Sequence, residues 1–83
     1  MQIVYFARVR EAMGTDGEET EFPADVVTIA DCLAHLMARG GVYPAAFGDF
    51  SKLRFALDQQ MAGMNTPIGT AQELAIFPPV TGG

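Results

Sequence analysis

The two most apolar runs of this chain stand at its opposite ends, Ile3-Val4-Tyr5-Phe6-Ala7 and Glu73-Leu74-Ala75-Ile76-Phe77. Its 83 residues are too few for a second core, so both runs must be buried in the same place. Each is rich in β-branched or aromatic residues and apolar on both faces, the pattern of a strand inside a sheet. Between them lies a segment with helical spacing. Thr28 can cap it, Asp31 completes a capping-box-like start, and Ile29, Leu33, Leu36 and Met37 recur at i, i+4, i+7 and i+8 as one apolar stripe. Arg39 falls in the last turn and Gly40-Gly41 supply the stop. A single-striped helix must cover one face of a sheet, and the first and last strands can then lie side by side, parallel, at its centre.

The remaining segments fit around that frame. Gln2 to Val9 reads as the first strand, Gly14-Thr15-Asp16-Gly17 as a turn, and Glu18 to Phe22 as an edge strand. Val42 to Ser51 has no period, yet Tyr43, Phe47 and Phe50 are too apolar for a solvated linker, which predicts a packed loop. Leu53 to Leu57 and Met61 to Met64 flank Asp58-Gln59-Gln60 as a hairpin, and Pro78-Pro79 cut off the strand Glu73 to Phe77. The order strand, strand, helix, strand, strand, strand is that of a β-grasp. The expected fold is α+β: a mixed sheet of about five strands with one main helix on one face, forming a single domain over 1–83 whose residues 78–83 project as a tail.

Charge and composition exclude several functions. A net charge of −5 repels phosphate backbones, so no nucleic-acid partner is expected, and it favours approach to a basic protein surface only weakly. The apolar start lacks a basic flank and is too short for a signal core or a spanning helix, so neither export nor a membrane partner is expected. Cys32 is the single cysteine and cannot form an internal disulfide, consistent with a reducing, cytoplasmic setting. There is no phosphate-cradling Gly-rich loop, no metal-ligand cluster and no nucleophile with a credible base, so no bound cofactor or metal is expected.

What remains is the end of the sequence, Phe77-Pro78-Pro79-Val80-Thr81-Gly82-Gly83. The prolines fix φ, remove two backbone donors and stiffen the exit from the sheet. Val80 to Gly83 can then reach roughly 13 Å at about 3.3–3.6 Å per extended residue. Without Cβ atoms, Gly82 and Gly83 can thread a channel too narrow for side chains and bring a terminal carboxylate close to another enzyme. A carboxylate is a poor acyl donor. Adenylation by ATP would give it a leaving group, and sulfur could then displace AMP; this chain carries nothing to do that, so an activating partner is required.

The opening YFARVREAMG, the capped helix, the hairpin FALDQQM and the ending LAIFPPVTGG resemble the small subunit of molybdopterin synthase along the whole chain. The resemblance implies that Gly83 is adenylated with ATP and magnesium by an adenylyltransferase similar to the activating enzyme of the ubiquitin pathway. Gly83 then becomes a thiocarboxylate, and the tail Pro78, Pro79, Val80, Thr81 and Gly82 inserts into the large synthase subunit. There sulfur passes to the precursor of molybdopterin, within an assembly that the family implies is a heterotetramer. The same resemblance places Phe6, Met61 and Phe77 on the partner-facing side of the sheet, although strand periodicity alone leaves them equally open to a core role. Two predicted turns depart from the family pattern: Asp58 stands where Asn is usual, and Ala71-Gln72-Glu73 where Gly-Asp-Glu is usual.

Three other readings belong to the same fold: a thiamine-type sulfur carrier, a modifier conjugated to lysines, and a non-catalytic interaction module with an inert terminus. Arg8 and Arg10 read as solvated charge or as partners for acidic groups on another protein. His35 has no second ligand at helical spacing and reads as a structural histidine, and Cys32 as a small semi-buried residue rather than a sulfur relay.

Overall fold

A computed structural model describes residues 1–48 and 50–79. The chain forms a five-stranded mixed sheet with three short helices. The strands are β1 (Gln2–Tyr5), β2 (Gly17–Glu19), β3 (Arg54–Leu57), β4 (Gln60–Ala62) and β5 (Glu73–Phe77). The helices are α1 (Ala7–Met13), α2 (Ile29–Met37) and α3 (Val42–Phe47), with a 3₁₀ turn over Phe50–Lys52.

The sheet order is β2-β1-β5-β3-β4. The two apolar end runs are therefore neighbours, parallel to one another, with Ile3 opposite Leu74 and Tyr5 opposite Ile76. β5 is antiparallel to β3, and β2 and β4 are the edges. Ile3, Tyr5, Leu74, Ile76 and Phe55 project to one face, where they join Ile29, Cys32, Leu33 and Leu36 of α2 in one buried core. The capping box at the start of α2 is present in full: Thr28 Oγ1 accepts from the Asp31 amide, and Asp31 Oδ2 accepts from the Thr28 amide. The Val27 amide, which donates to the same Asp31 oxygen at 3.0 Å, and the Thr28 amide hold this carboxyl below its ordinary value.

Four local expectations need correction. The first strand ends at Tyr5 rather than Val9, and residues 7–13 turn into a helix. Ala7-Arg8-Val9-Arg10-Glu11-Ala12-Met13 is built mostly of strong helix formers, and only Val9 of it is fully buried. Gly14, with φ 76°, closes this helix in the left-handed conformation. Residues 42–47 form α3 instead of a packed loop; Pro44 falls in its first turn, where a missing N–H costs no helical bond. β2 covers Gly17–Glu19, earlier and shorter than expected. The hairpin loop is two residues, Asp58-Gln59, both at positive φ as in a type I′ turn, so Gln60 already belongs to β4.

Candidate functional site

β5 is the central strand, and it delivers the chain into Pro78-Pro79 at one end of the sheet. Its last residue, Phe77, pairs with Arg54 at the start of β3. On the other side Phe6, which follows β1 and precedes α1, donates its N–H to the Ile76 carbonyl at 3.2 Å. The tail therefore leaves between two strands that fix its root from both sides. Pro78 and Pro79 are half-buried and outside the ladder, as their missing N–H groups dictate. Val80, Thr81, Gly82 and Gly83 lie outside the described residues.

The strand register settles which face holds the three residues left open between core and surface. Val4 is opposite Ala75, Ala75 opposite Ala56, and Ala56 opposite Met61, so these side chains form one row across the sheet. Core residues alternate with them along every strand, so the row lies on the face away from α2. Phe77 is on the same face, two residues beyond Ala75. Phe6 packs its ring edge-on against Phe77, with centroids 6.5 Å apart at 83°. Phe6 is 47% exposed and Met61 67%, whereas Phe77 is half-buried. None of the three is core. Small Ala56 and Ala75 keep the centre of this face low, while Met61 and the Phe6-Phe77 pair stand at its margins.

The remaining residues singled out in the sequence are structural. Cys32 is fully buried rather than semi-buried; burial, reinforced by the neighbouring Asp31 charge, pushes its thiol up to about 11, which keeps it from acting as a thiolate nucleophile. His35 is half-buried, with its ring edge-on to Phe22 at 5.3 Å. Among the described residues, no group of three or more His, Cys, Asp or Glu could hold a metal ion. Among the described residues, no helix is long and apolar enough to cross a membrane.

Two polar constellations were not visible in the sequence. Glu18 on β2 accepts hydrogen bonds from Tyr5 Oη at 2.8 Å, from Tyr43 Oη at 2.7 Å and from Arg39 Nη1 at 3.1 Å. This joins β1, β2, α3 and the end of α2 at one carboxylate. Burial raises the Glu18 carboxyl, but the Tyr43 and Tyr5 hydroxyls and the Arg39 charge outweigh it and hold the group below its ordinary value. Tyr5 moves the opposite way, far above the usual phenol range, through burial first and then the adjacent Glu18. In the second constellation Asp58 Oδ1 accepts from the Gln72 and Glu73 amides at 2.9 and 3.1 Å. The two turns that depart from the family pattern are thus in direct contact. Sequence separations of 25 residues between Glu18 and Tyr43, and 14 between Asp58 and Gln72, hide both links from any local pattern.

A five-stranded sheet that grips one helix, pairs its first and last strands in parallel and releases its end from the central strand defines a protein of the ubiquitin-like β-grasp class. Within that class the chain belongs to the ThiS family, whose model matches residues 3–83. It is 37% identical over 83 residues to the molybdopterin synthase sulfur carrier subunit of Escherichia coli (strain K12), spanning 100% of this chain and 99% of that one. Identity to the subunit of the same name in Haemophilus influenzae is 31% over 83 residues, with the same coverage. In structure it is similar to SAMP1 from Haloferax volcanii, with a TM-score of 0.72 at 24% identity over 99% of this chain and 97% of that one.

Proposed function

We propose that this chain is the sulfur carrier subunit of a molybdopterin synthase, with the carboxylate of Gly83 as its working group. The full-length match to two curated carrier subunits carries this reading. The geometry supports it in two ways. The central strand aims the Phe77-Pro78-Pro79 exit out of the sheet, and an apolar surface formed by Phe6, Met61 and Phe77 lies beside that exit. A partner that seats the apolar face receives the tail in a fixed direction.

The chemistry divides between proteins. An adenylyltransferase similar to the activating enzyme of the ubiquitin pathway uses ATP and magnesium to join AMP to the Gly83 carboxylate and release pyrophosphate. A sulfur donor then displaces AMP and leaves a thiocarboxylate. The large synthase subunit takes the tail through Val80, Thr81 and Gly82, and the thiocarboxylate sulfur attacks the molybdopterin precursor. This chain's own contribution is to present, orient and insert: the Glu18 and Asp58 constellations fix the sheet, and the sheet fixes the root of the tail.

Intact-mass measurement after incubation with the activating enzyme, ATP and a sulfur donor tests the proposal. The expected gain is that of one oxygen exchanged for one sulfur, localised to Gly83. An unchanged mass with an enzyme shown to be active on another carrier would favour the interaction module with an inert terminus.

A further inference from the structure

The charge of this acidic chain is unevenly placed. Its five cationic side chains are Arg8, Arg10, Arg39, Lys52 and Arg54. Arg39 is committed to Glu18. The other four form no ion pair among the described residues, and all four are exposed. The topology brings them to one place. β5 lies between β1 and β3, parallel to the first and antiparallel to the second, so the end of β1 and the start of β3 both flank its exit. Arg8 and Arg10 follow the end of β1, on α1, which touches β5. Lys52 and Arg54 stand at the start of β3, and Arg54 is paired directly with Phe77. Arg54 is also held in position, since its Nη1 donates to the carbonyls of Leu53 at 2.9 Å and Ser51 at 3.3 Å.

The opposite end of the same strands is acidic. Glu19 and Glu73 flank Gln2 there, Glu19 paired with the Met1 ammonium at 3.0 Å, and Asp58 caps the turn that leads out of β3. Among the described residues the facing acids at the tail end are Glu11, in the second half of α1, and Asp16, beside the edge strand β2, and neither forms an ion pair with the four cations. The net charge of −5 therefore conceals a field that runs along the strands, positive at the root of the tail and negative at the far end.

We infer that Arg8, Arg10, Lys52 and Arg54 form a basic collar around the tail exit that docks on an acidic protein surface at the mouth of the channel that takes the tail. This rests on the carrier function proposed above and adds the chemistry of the surface that receives it. It also reverses the expectation, drawn from net charge alone, that the favoured partner surface is basic. Phosphate polymers fit poorly, because the chain as a whole carries ten acids against five Lys and Arg, which a long polyanion would have to approach. An acidic surface of limited extent meets the collar without meeting the far end. Its attraction orients the chain before contact, tail first, and lets the apolar face of Phe6, Met61 and Phe77 complete the fit.

The test combines two measurements on the full chain, the first needing no identified partner. Amide NMR shifts are followed during titration with a short poly-glutamate peptide, and with single-stranded DNA of the same charge, at low salt. Shifts at 8–10 and 52–54 with the peptide, lost in high salt, are expected, while shifts clustered elsewhere, or stronger binding of DNA, would overturn the collar. In the second, association rates with the large synthase subunit are measured at low (about 0.05 M) and high (about 0.5 M) salt. The wild-type rate should fall on the order of tenfold, and the double variant R8E/R54E should lose most of that dependence with circular dichroism unchanged. A salt-insensitive rate, equal in wild type and variant, overturns the collar and leaves the carrier function standing. Peptide shifts at the collar, with no binding of the large subunit even by wild type, leave the collar standing and remove the carrier function.

Discussion

Replacing Met61 by Ala should weaken binding to the large synthase subunit while leaving the fold intact. Met61 lies on the edge strand β4 with 67% of its surface in water. Its contacts within the chain are correspondingly few, and an exposed substitution of this kind changes stability by only about 0.5 kcal/mol. Complete burial of a methionine side chain is worth about 1.5–3 kcal/mol, so covering the exposed two-thirds should contribute about 1–2 kcal/mol to docking. That corresponds to a Kd raised about 5- to 30-fold in Met61→Ala. Met61→Asp should weaken binding further, because it carries an unpaired charge into the same contact. Isothermal titration against the large subunit measures the loss, and thermal unfolding monitors the fold. A Kd within twofold of wild type, with an unchanged melting curve, would refute the placement of Met61 at the interface and with it the reading of the row Val4-Ala75-Ala56-Met61 as a docking face.

Other outcomes follow from the same geometry. Glu18→Ala leaves the buried Tyr5 hydroxyl without its acceptor, at a cost of about 1–3 kcal/mol, which in a domain this size lowers Tm by about 4–8 °C per kcal/mol. Because the folded carboxyl is held below its ordinary value of 4.5, the stability it supplies is full above that pH and drains away as pH falls below it. Wild type and E18Q should therefore converge in urea melts taken at progressively lower pH; a gap that widens in acid would refute this sign. Gln59→Gly should stabilise by about 1 kcal/mol, since Gln59 sits at φ 70° where glycine carries no Cβ penalty; a lower urea midpoint would contradict the turn assignment. Gly82→Val, or one residue added after Gly83, should abolish sulfur transfer without shifting the melting temperature. Transfer by an extended chain that mass spectrometry shows was not trimmed would sink the mechanism.

Where sequence alone succeeded, the information was local or forced by scarcity of core. The start of α2 could be placed from Thr28 and Asp31 because cap and stripe agree, although the helix ends at Met37 with Ala38 as its C-cap, before Arg39 and the Gly40-Gly41 stop, and β5 could be bounded from its apolar run and the prolines after it. The parallel pairing of β1 with β5 followed because one small core must bury both. What failed was arbitration between strand and helix in short segments. Residues 7–13 carry Val9 and Met13 at helical spacing, but the β-rich run before them masked the change of period. α3 was hidden because Val42 to Ser51 shows no period, and Pro44, which would break a helix interior, is harmless in the first turn where it falls. Phe6, Met61 and Phe77 could be named but not oriented: alternation shows which residues share a face, and only the register with β3 and β4 shows which face the helix leaves free. The collar was out of reach for the same reason, since Arg8 and Arg54 become neighbours of the exit only once β5 is placed between β1 and β3.

In the proposed mechanism sulfur leaves the protein from Gly83. The most direct measurement is a single turnover in which the chain, loaded with isotopically heavy sulfur as its thiocarboxylate, is mixed with the large subunit and the molybdopterin precursor, and both protein and pterin are followed by mass spectrometry. Heavy sulfur should appear in the pterin dithiolene as Gly83 returns to an ordinary carboxylate. Product carrying only unlabelled sulfur, with the heavy label still on Gly83, would contradict it.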